Sequence, residues 1–301
     1  MISVVIKHLE GVALRDGREK HQFFIIGVVA VLLFACSCLG ALEDSLVVHF
    51  IDVGQGDAIL IDYGEYEMLI DGGRWGQCAG YLVSRIDGPL EVMVATHPDV
   101  DHIGGLVYVL ENFEVDEIWM NRDTSDTKTY QRFLDAVENE RAQVLYARKG
   151  RQIALGSLAV DVLHPDPFTS ATFTNNDNSV VLRLSFGEVD FLLTGDIEGE
   201  AEAALITTNL VDETEVLKIS DHGSEHCSTE GFLLVVQPEV AIYSAGKNPY
   251  GHPSSEALAR LRAVGTMTFG TDTYGSIQVV TDGTSYFVQT EKGDLLVSPG
   301  T

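Results

Sequence analysis

The sequence predicts an α/β fold, and three observations carry that expectation. From residue 46 onward, short apolar runs of strand length alternate with stretches of helical periodicity. Several of those runs end in a carboxylate or histidine beside glycine, as strands do where α/β folds gather ligand-binding groups. No internal repeat and no low-complexity linker interrupts the chain after residue 45, so residues 46–301 read as one domain behind an N-terminal segment, 1–45.

The elements follow in order. Residues 46–53 and 57–61 are strands broken by Gly54-Gln55-Gly56, and 67–71 is a third, stopped by Gly72-Gly73. A helix is expected over 76–86, and the strand 91–95 delivers the chain into THPDVDHIGG, after which a helix runs over 103–110. Next come a strand near 116–120, a helix near 128–140, and strands near 151–155 and 157–163. Strands 180–186 and 189–194 form a hairpin at Gly187-Glu188. Strand 215–219, helix 228–236, strand 239–243, helix 254–263 and a strand group over 266–289 complete the chain.

Composition bounds the function. The chain has 301 residues, 45% of them hydrophobic, with 29 Gly and 8 Pro, which is enough for a large core. A net charge of −26 argues against a protein that coats nucleic acid by charge alone, and no basic stripe with interleaved aromatics is legible. Residues 23–42, FFIIGVVAVLLFACSCLGAL, carry no charge over about the length that spans a bilayer. Lys7, Arg15, Arg18 and Lys20 precede them, and Glu43 and Asp44 follow. This asymmetry predicts a membrane anchor or signal segment with everything after residue 42 extracytoplasmic. Cys36 and Cys38 are also compatible with lipoprotein-type processing. Cys78 and Cys227, the two cysteines of the domain, do not make a disulfide framework and read as small buried hydrophobes.

The chemistry is expected at five glycine-flanked positions: Asp52 (IDVGQGD), Asp71 (LIDGG), His97 to His102 (THPDVDHIGG), Asp196 (LLTGD) and His222 (KISDHGS). One such ending is ordinary turn chemistry; five in one domain, two of them with histidine, point to a metal site. Neutral imidazole and carboxylate suit zinc and similar cations. His97, Asp99, Asp101 and His102 fall within one short loop that can wrap around ions, and Asp196 could bridge two of them. Two such ions lower the pKa of a shared water enough to supply hydroxide near neutral pH. The plain alternative is a solvated polar loop with Asp101 as a helix N-cap.

These pieces resemble the metallo-β-lactamase fold superfamily and, within it, the ComEC-like branch, the hydrolase domain of DNA-uptake competence proteins. The resemblance rests on FIDVGQGDAILI, LIDGG, THPDVDHIGGL, NDNSVVLRLSFGEVDFLLTGDIE, LKISDHGS and YGHPSSEAL, in the family's order over residues 48–261. It implies a four-layer αββα sandwich with two Zn²⁺ ions at one edge of the paired sheets, Mn²⁺ or Mg²⁺ being possible substitutes. By motif position His97 and Asp99 would face one ion, and Asp101, His102 and His222 the other. Asp196 would bridge them, and Asp101 would orient the attacking hydroxide. Asp99 stands where the superfamily often has histidine. A further histidine for the first ion is missing: only His164, in LHPD, lies in the interval, and it is expected to end a strand away from the metals. Asn178 and Ser179 of NDNS and Lys218 are candidate substrate contacts, and His252 of YGHPSSEAL a candidate oxyanion donor at the pocket mouth. His226 and His49 read as a loop residue and a structural residue.

The function that follows is a metal-dependent hydrolase, a phosphodiesterase or nuclease whose substrate is a phosphodiester or DNA. Its alternative is a non-catalytic metal-binding or sensing ectodomain.

Overall fold

The computed structural model describes residues 45–86, 88–166 and 173–295. The membrane-length stretch 23–42 and both cysteines within it lie outside the described residues. Among the described residues no helix is long and apolar enough to cross a membrane.

Two sheets form the middle of the domain. The first holds β1 (Leu46–Phe50), β2 (Ile59–Tyr63), β3 (Tyr66–Ile70), β4 (Leu90–Ala95), β5 (Val115–Met120), β6 (Gln143–Tyr146), β14 (Ile277–Thr281), β15 (Tyr286–Thr290) and β16 (Gly293–Leu295). Their order is β16-β15-β14-β1-β2-β3-β4-β5-β6. The second holds β7 (Gln152–Leu155), β8 (Leu158–His164), β9 (Val181–Phe186), β10 (Val189–Leu193), β11 (Val216–Lys218), β12 (Val240–Tyr243) and β13 (Met267–Gly270), in the order β13-β12-β11-β10-β9-β8-β7.

Three apolar layers hold these sheets and their helices together, which gives the αββα stack. Between the sheets, Val48, Phe50, Ile61 and Val94 of one face meet Val160, Leu184, Phe191 and Val240 of the other. Strand alternation puts the opposite set, such as Leu60, Leu69 and Met93, on the outer face of the first sheet. There they pack under α1 (Gln77–Leu82), α2 (Val100–Leu110) and α3 (Lys128–Asn139), through Leu82, Leu106 and Phe133. The second sheet is covered by α4 (Gly199–Thr207), α5 (Glu230–Val236) and α6 (Ser255–Ala263), through Leu205, Phe232 and Leu261. A short α7 (Thr271–Tyr274) falls inside what reads in sequence as the last strand group. Thr127, Thr229 and Ser254 cap α3, α5 and α6 with their hydroxyls. Cys78 and Cys227 are free and buried in opposite helix layers, as their reading as small hydrophobes expects.

Strand direction places the site. β3, β4, β5 and β6 are parallel neighbours, and so are β10, β11, β12 and β13. Their C-terminal ends therefore discharge Asp71, Thr96-His97 and Asn121 on one side, and Asp196, His222 and Ser244 on the other, along one edge of the sandwich.

Glycine permits the close approach that joins these ends. Asp71-Gly72-Gly73 lies against the first turn of α2, with Gly72 N–H on the His102 carbonyl at 2.8 Å and Gly105 N–H on the Gly73 carbonyl at 2.8 Å. A Cβ on Gly105 would sit 1.8 Å from the Gly72 carbonyl oxygen, and one on Gly72 would sit 2.6 Å from Leu106 N. Gly56 of the GQGD loop does the same on the other side. Its Cβ would meet the Asp101 backbone carbonyl oxygen at 2.2 Å, while Asp57 N–H donates to that carbonyl at 3.1 Å.

The structure corrects the sequence reading at α2 and at β6. α2 starts at Val100, not Ile103, so Asp101 and His102 belong to its first turn instead of a free loop. Asp99 holds the N-cap position without a side-chain cap bond, so the reading of Asp101 as a plain N-cap is incorrect. β6 is not marked in the sequence, because its exposed-exposed-intermediate-exposed pattern on a sheet edge carries no strong apolar alternation.

Candidate metal centre

Three histidines converge on Asp196. Its Oδ2 lies 3.0 Å from His102 Nε2, 3.3 Å from His222 Nε2 and 3.9 Å from His97 Nε2. His222 Nε2 is also 3.6 Å from Asp101 Oδ2. The His97 and His102 rings stand 4.1 Å apart, centre to centre. Ligand atoms of His97, His102 and Asp196 lie within 4.8 Å of one another, and so do those of Asp101, His102 and His222. Asp99 is at the margin, 3.9 Å from His97 Nε2 with its side chain 48% exposed.

Neighbours orient each imidazole so that the same nitrogen faces inward. His222 Nδ1–H donates to the Ser244 carbonyl at 2.8 Å, an acceptor with no proton to give. His102 Nδ1–H donates to Asp71 Oδ2 at 2.7 Å. Thr96 Oγ1 gives its one proton to Asp71 at 2.6 Å, so its lone pair accepts His97 Nδ1–H at 3.1 Å. All three Nε2 lone pairs then point at the cluster. A carboxylate or carbonyl behind a histidine is the usual support of a metal ligand.

The residues present fit a divalent cation. His97 Nε2, His222 Nε2 and Asp196 Oδ1 are buried and make no hydrogen bond. Unpartnered polar atoms are costly in an interior unless something else satisfies them. Backbone strain is concentrated here too: Asp71, Asp221 and His222 have φ of 57°, 42° and 52°. Such left-handed residues cost about 1–3 kcal/mol each and persist where surrounding contacts impose them.

Electrostatics follow from burial and charge. Burial and the nearby imidazoles push His97 down to about 3, so it is neutral and able to ligate. Burial alone would lower His222, but Asp196 and Asp57 outweigh it and hold it at about 10. Asp221 is pushed up to about 7 by burial and by Asp196. A cation in the cluster would take the place of the protons that these carboxylates otherwise retain on His102 and His222.

Two aspartates were missing from the expected ligand set. Asp71, legible only as a strand ending, supports His102. Asp57 pairs with Lys218 Nζ at 2.7 Å and with His222 Nδ1 at 3.4 Å. Its signal was the GQGD motif, which reads as a turn until the loop is seen against α2. Asp52 is a plain turn residue, exposed and accepting Gly54 N–H.

The candidate substrate contacts divide. Lys218 does not face substrate: it is fully buried, paired with Asp57 and bonded to the Ile219 carbonyl. Ser179 is also turned inward, its Oγ 3.2 Å from His97 Nδ1 and accepting Asp196 N–H at 3.1 Å. Sequence could not separate these two from surface residues, because a polar side chain at a strand end reads the same whether it is solvated or paired. Asn178 is buried, with its carbonyl held by Asn121 Nδ2 at 3.0 Å. His252 is half-buried beside a surface pocket it shares with Ser224 and Tyr250, near enough for His222, Asp196 and Asp101 to act on its charge. His164 ends β8 and bonds the Asp177 carbonyl at 2.7 Å, away from the cluster. His226 is an exposed loop residue, and His49 is buried against Tyr81.

Residues 51–247 match the model of the metallo-beta-lactamase superfamily. The chain belongs to that superfamily. Its relatives place it in the ComEC-like branch. It is 28% identical over 289 residues to ComE operon protein 3 of Bacillus subtilis (strain 168), covering 87% of this chain and 37% of the relative. It is 30% identical over 240 residues to Recombination protein 2 of Haemophilus influenzae, covering 77% of this chain and 28% of that one. The chain thus spans well under half the length of either relative. Among solved structures the fold is shared with the metallo-beta-lactamase fold protein YhfI of Bacillus subtilis, at TM-score 0.52 and 12% identity over 79% of this chain and 100% of that one. It is shared also with CmlA of Streptomyces venezuelae, a diiron beta-hydroxylase, at TM-score 0.51 and 12% identity over 78% of this chain and 54% of that one. At such identities the likeness concerns the fold alone. The superfamily and the His/Asp cluster together support a hydrolase-like protein that uses divalent metal.

Proposed function

We propose that this protein is a metal-dependent phosphodiesterase that cuts DNA on the extracytoplasmic side of a membrane, with zinc as its first candidate metal. The observation that carries the reading is the convergence of His97, His102 and His222 on Asp196, each with Nε2 turned inward by a separate partner. The competence proteins among its relatives support DNA as the substrate class, and the charge asymmetry around residues 23–42 supports the location.

Bound cations would supply an activated water and neutralise charge on a phosphoryl group. His97, His102, His222 and Asp196 would hold them, with Asp101 beside His222. The chain's own residues do the rest. Asp71 and Ser244 hold His102 and His222 against rotation. Asp101, its side chain only partly buried, can accept a proton from an incoming water. His252, at the mouth, can donate a hydrogen bond to a charged oxygen that forms there. Lys218 acts indirectly, by neutralising Asp57 behind His222.

One observation favours a second reading, a metal-binding module without turnover. Among the described residues the His97 side has only His97, the shared Asp196 and a half-exposed Asp99, while His164 is engaged elsewhere. The deciding experiment measures metal per chain and hydrolysis of bis-p-nitrophenyl phosphate with Zn²⁺ and with Mn²⁺, then of single- and double-stranded DNA. Turnover of the ester and of DNA is expected. A folded protein that binds metal yet hydrolyses neither ester nor DNA with either metal would establish the second reading.

A further inference from the structure

The strands that deliver His97 also deliver a basic and aromatic rim. Ala95 lies opposite Met120, and Met120 opposite Tyr146, so the segments leaving β4, β5 and β6 emerge side by side at the metal edge. The first is the His97 segment; the others are Asn121-Arg122 and Ala147-Arg148. Neighbouring strands are about 4.8 Å apart, which puts the root of Arg148 roughly 10 Å from that of His97. Asn178 ties the rim to the centre: its carbonyl accepts from Asn121, and its neighbour Ser179 touches His97. A pocket of about 100 Å³ opens between Asn121, Arg122, Tyr146, Arg148, Pro165 and Asn178. That is the room of about three water molecules.

Two features of the rim point to a ligand. Arg122 and Arg148 are exposed and make no ion pair among the described residues. In a chain with 45 acidic and 19 basic residues, two exposed arginines that meet at one pocket make a local basic patch; Arg183, by contrast, pairs with both Asp190 and Asp212. Lys149, in the same turn, is already paired with Asp166 at 3.2 Å. Tyr146 is 53% exposed, with the Arg122 guanidinium 4.9 Å over its ring. Asp123 is the carboxylate of the pocket, and burial favours its protonated form. Sequence shows no such stripe because Arg122, Tyr146 and Arg148 come from two segments that only the parallel strands bring together. An exposed tyrosine beside exposed arginines suits an unstacked base on a phosphate chain.

We propose that this rim is a nucleotide subsite for a single phosphodiester strand: Arg122 and Arg148 pair with backbone phosphates, Tyr146 stacks one base, and the adjoining linkage lies over the His97–Asp196–His222 cluster. The proposal rests on the phosphodiesterase reading and names how that site takes a polymeric substrate. It is tested on the full chain by fluorescence anisotropy with a single-stranded oligonucleotide of about 12 residues, in chelator, across a salt series. R122A/R148A should bind about tenfold more weakly, with a salt slope reduced by about 1.4. Y146A should bind about tenfold more weakly with its slope unchanged. Hydrolysis of bis-p-nitrophenyl phosphate with Mn²⁺, an ester too small to bridge rim and centre, should stay within twofold of wild type in both. Wild-type affinity in the variants, or no oligonucleotide binding by the wild type, overturns the proposal. So does loss of binding to phosphatidylglycerol vesicles with oligonucleotide binding intact, which would assign the rim to a lipid surface. If the wild type cleaves no phosphodiester while the variants still lose the oligonucleotide, the hydrolase reading fails and the subsite stands.

Discussion

Lys218→Met would leave Asp57 as an uncompensated carboxylate behind the metal centre. Both partners are almost fully buried, at 0% and 2% exposure, and 2.7 Å apart. Removing one member of such a pair costs about 3–5 kcal/mol, because the other charge can neither be solvated nor be neutralised cheaply. For a domain of this size that is a fall in Tm of roughly 6–20 °C. Asp57→Asn combined with Lys218→Met should recover much of the loss, since it removes the stranded charge as well. The pH dependence gives an independent check. Burial would raise Asp57, but Lys218 and His222 hold it at about 2, below its ordinary 3.8. A lowered carboxylate contributes its stability above the unfolded value and loses it as pH falls through the folded one. The contribution here is about 2 kcal/mol near neutral pH, disappearing below about 2. In Lys218→Met burial pushes the same carboxyl up and it takes a proton, so the deficit should shrink between pH 7 and pH 4. Urea unfolding followed by circular dichroism at both pH values measures this. A deficit below about 1 kcal/mol, or one of equal size at pH 7 and pH 4, would refute the reasoning.

Other consequences can be measured directly. Asp196→Ala should abolish phosphodiester hydrolysis and cut bound metal while the far-ultraviolet dichroism stays native; retained turnover would show that Asp196 is not at the centre. Asp71→Asn should lower metal affinity about 10- to 100-fold with every ligand intact, read by chelator competition, because His102 loses its anionic support. His252→Ala should lower kcat about 10²-fold with metal content unchanged, if the mouth histidine stabilises developing charge; an unchanged kcat would return it to a helix-entry role. Gly105→Ala places a methyl 1.8 Å from the Gly72 carbonyl and should separate Asp71 from His102, so that both Tm and metal content fall.

Much of this protein was legible in order along the chain. The apolar runs marked most strands, and glycine beside Asp71, His97–His102, Asp196 and His222 marked where they end, because ladder periodicity and turn chemistry are local properties. What no local pattern contains is which face of a polar residue meets another segment. Lys218 and Ser179 could have been surface contacts, and only the packing of β11 and of the NDNS turn against the GQGD loop and His97 turned them inward. The register of β4, β5 and β6 likewise decided that Arg122, Tyr146 and Arg148 share a rim, in a chain whose overall charge suggested none. Residue types and turn positions determined the candidate ligands; strand direction and sheet register decided which of them meet, since contacts between distant segments are set by the sum of packing across the whole sandwich.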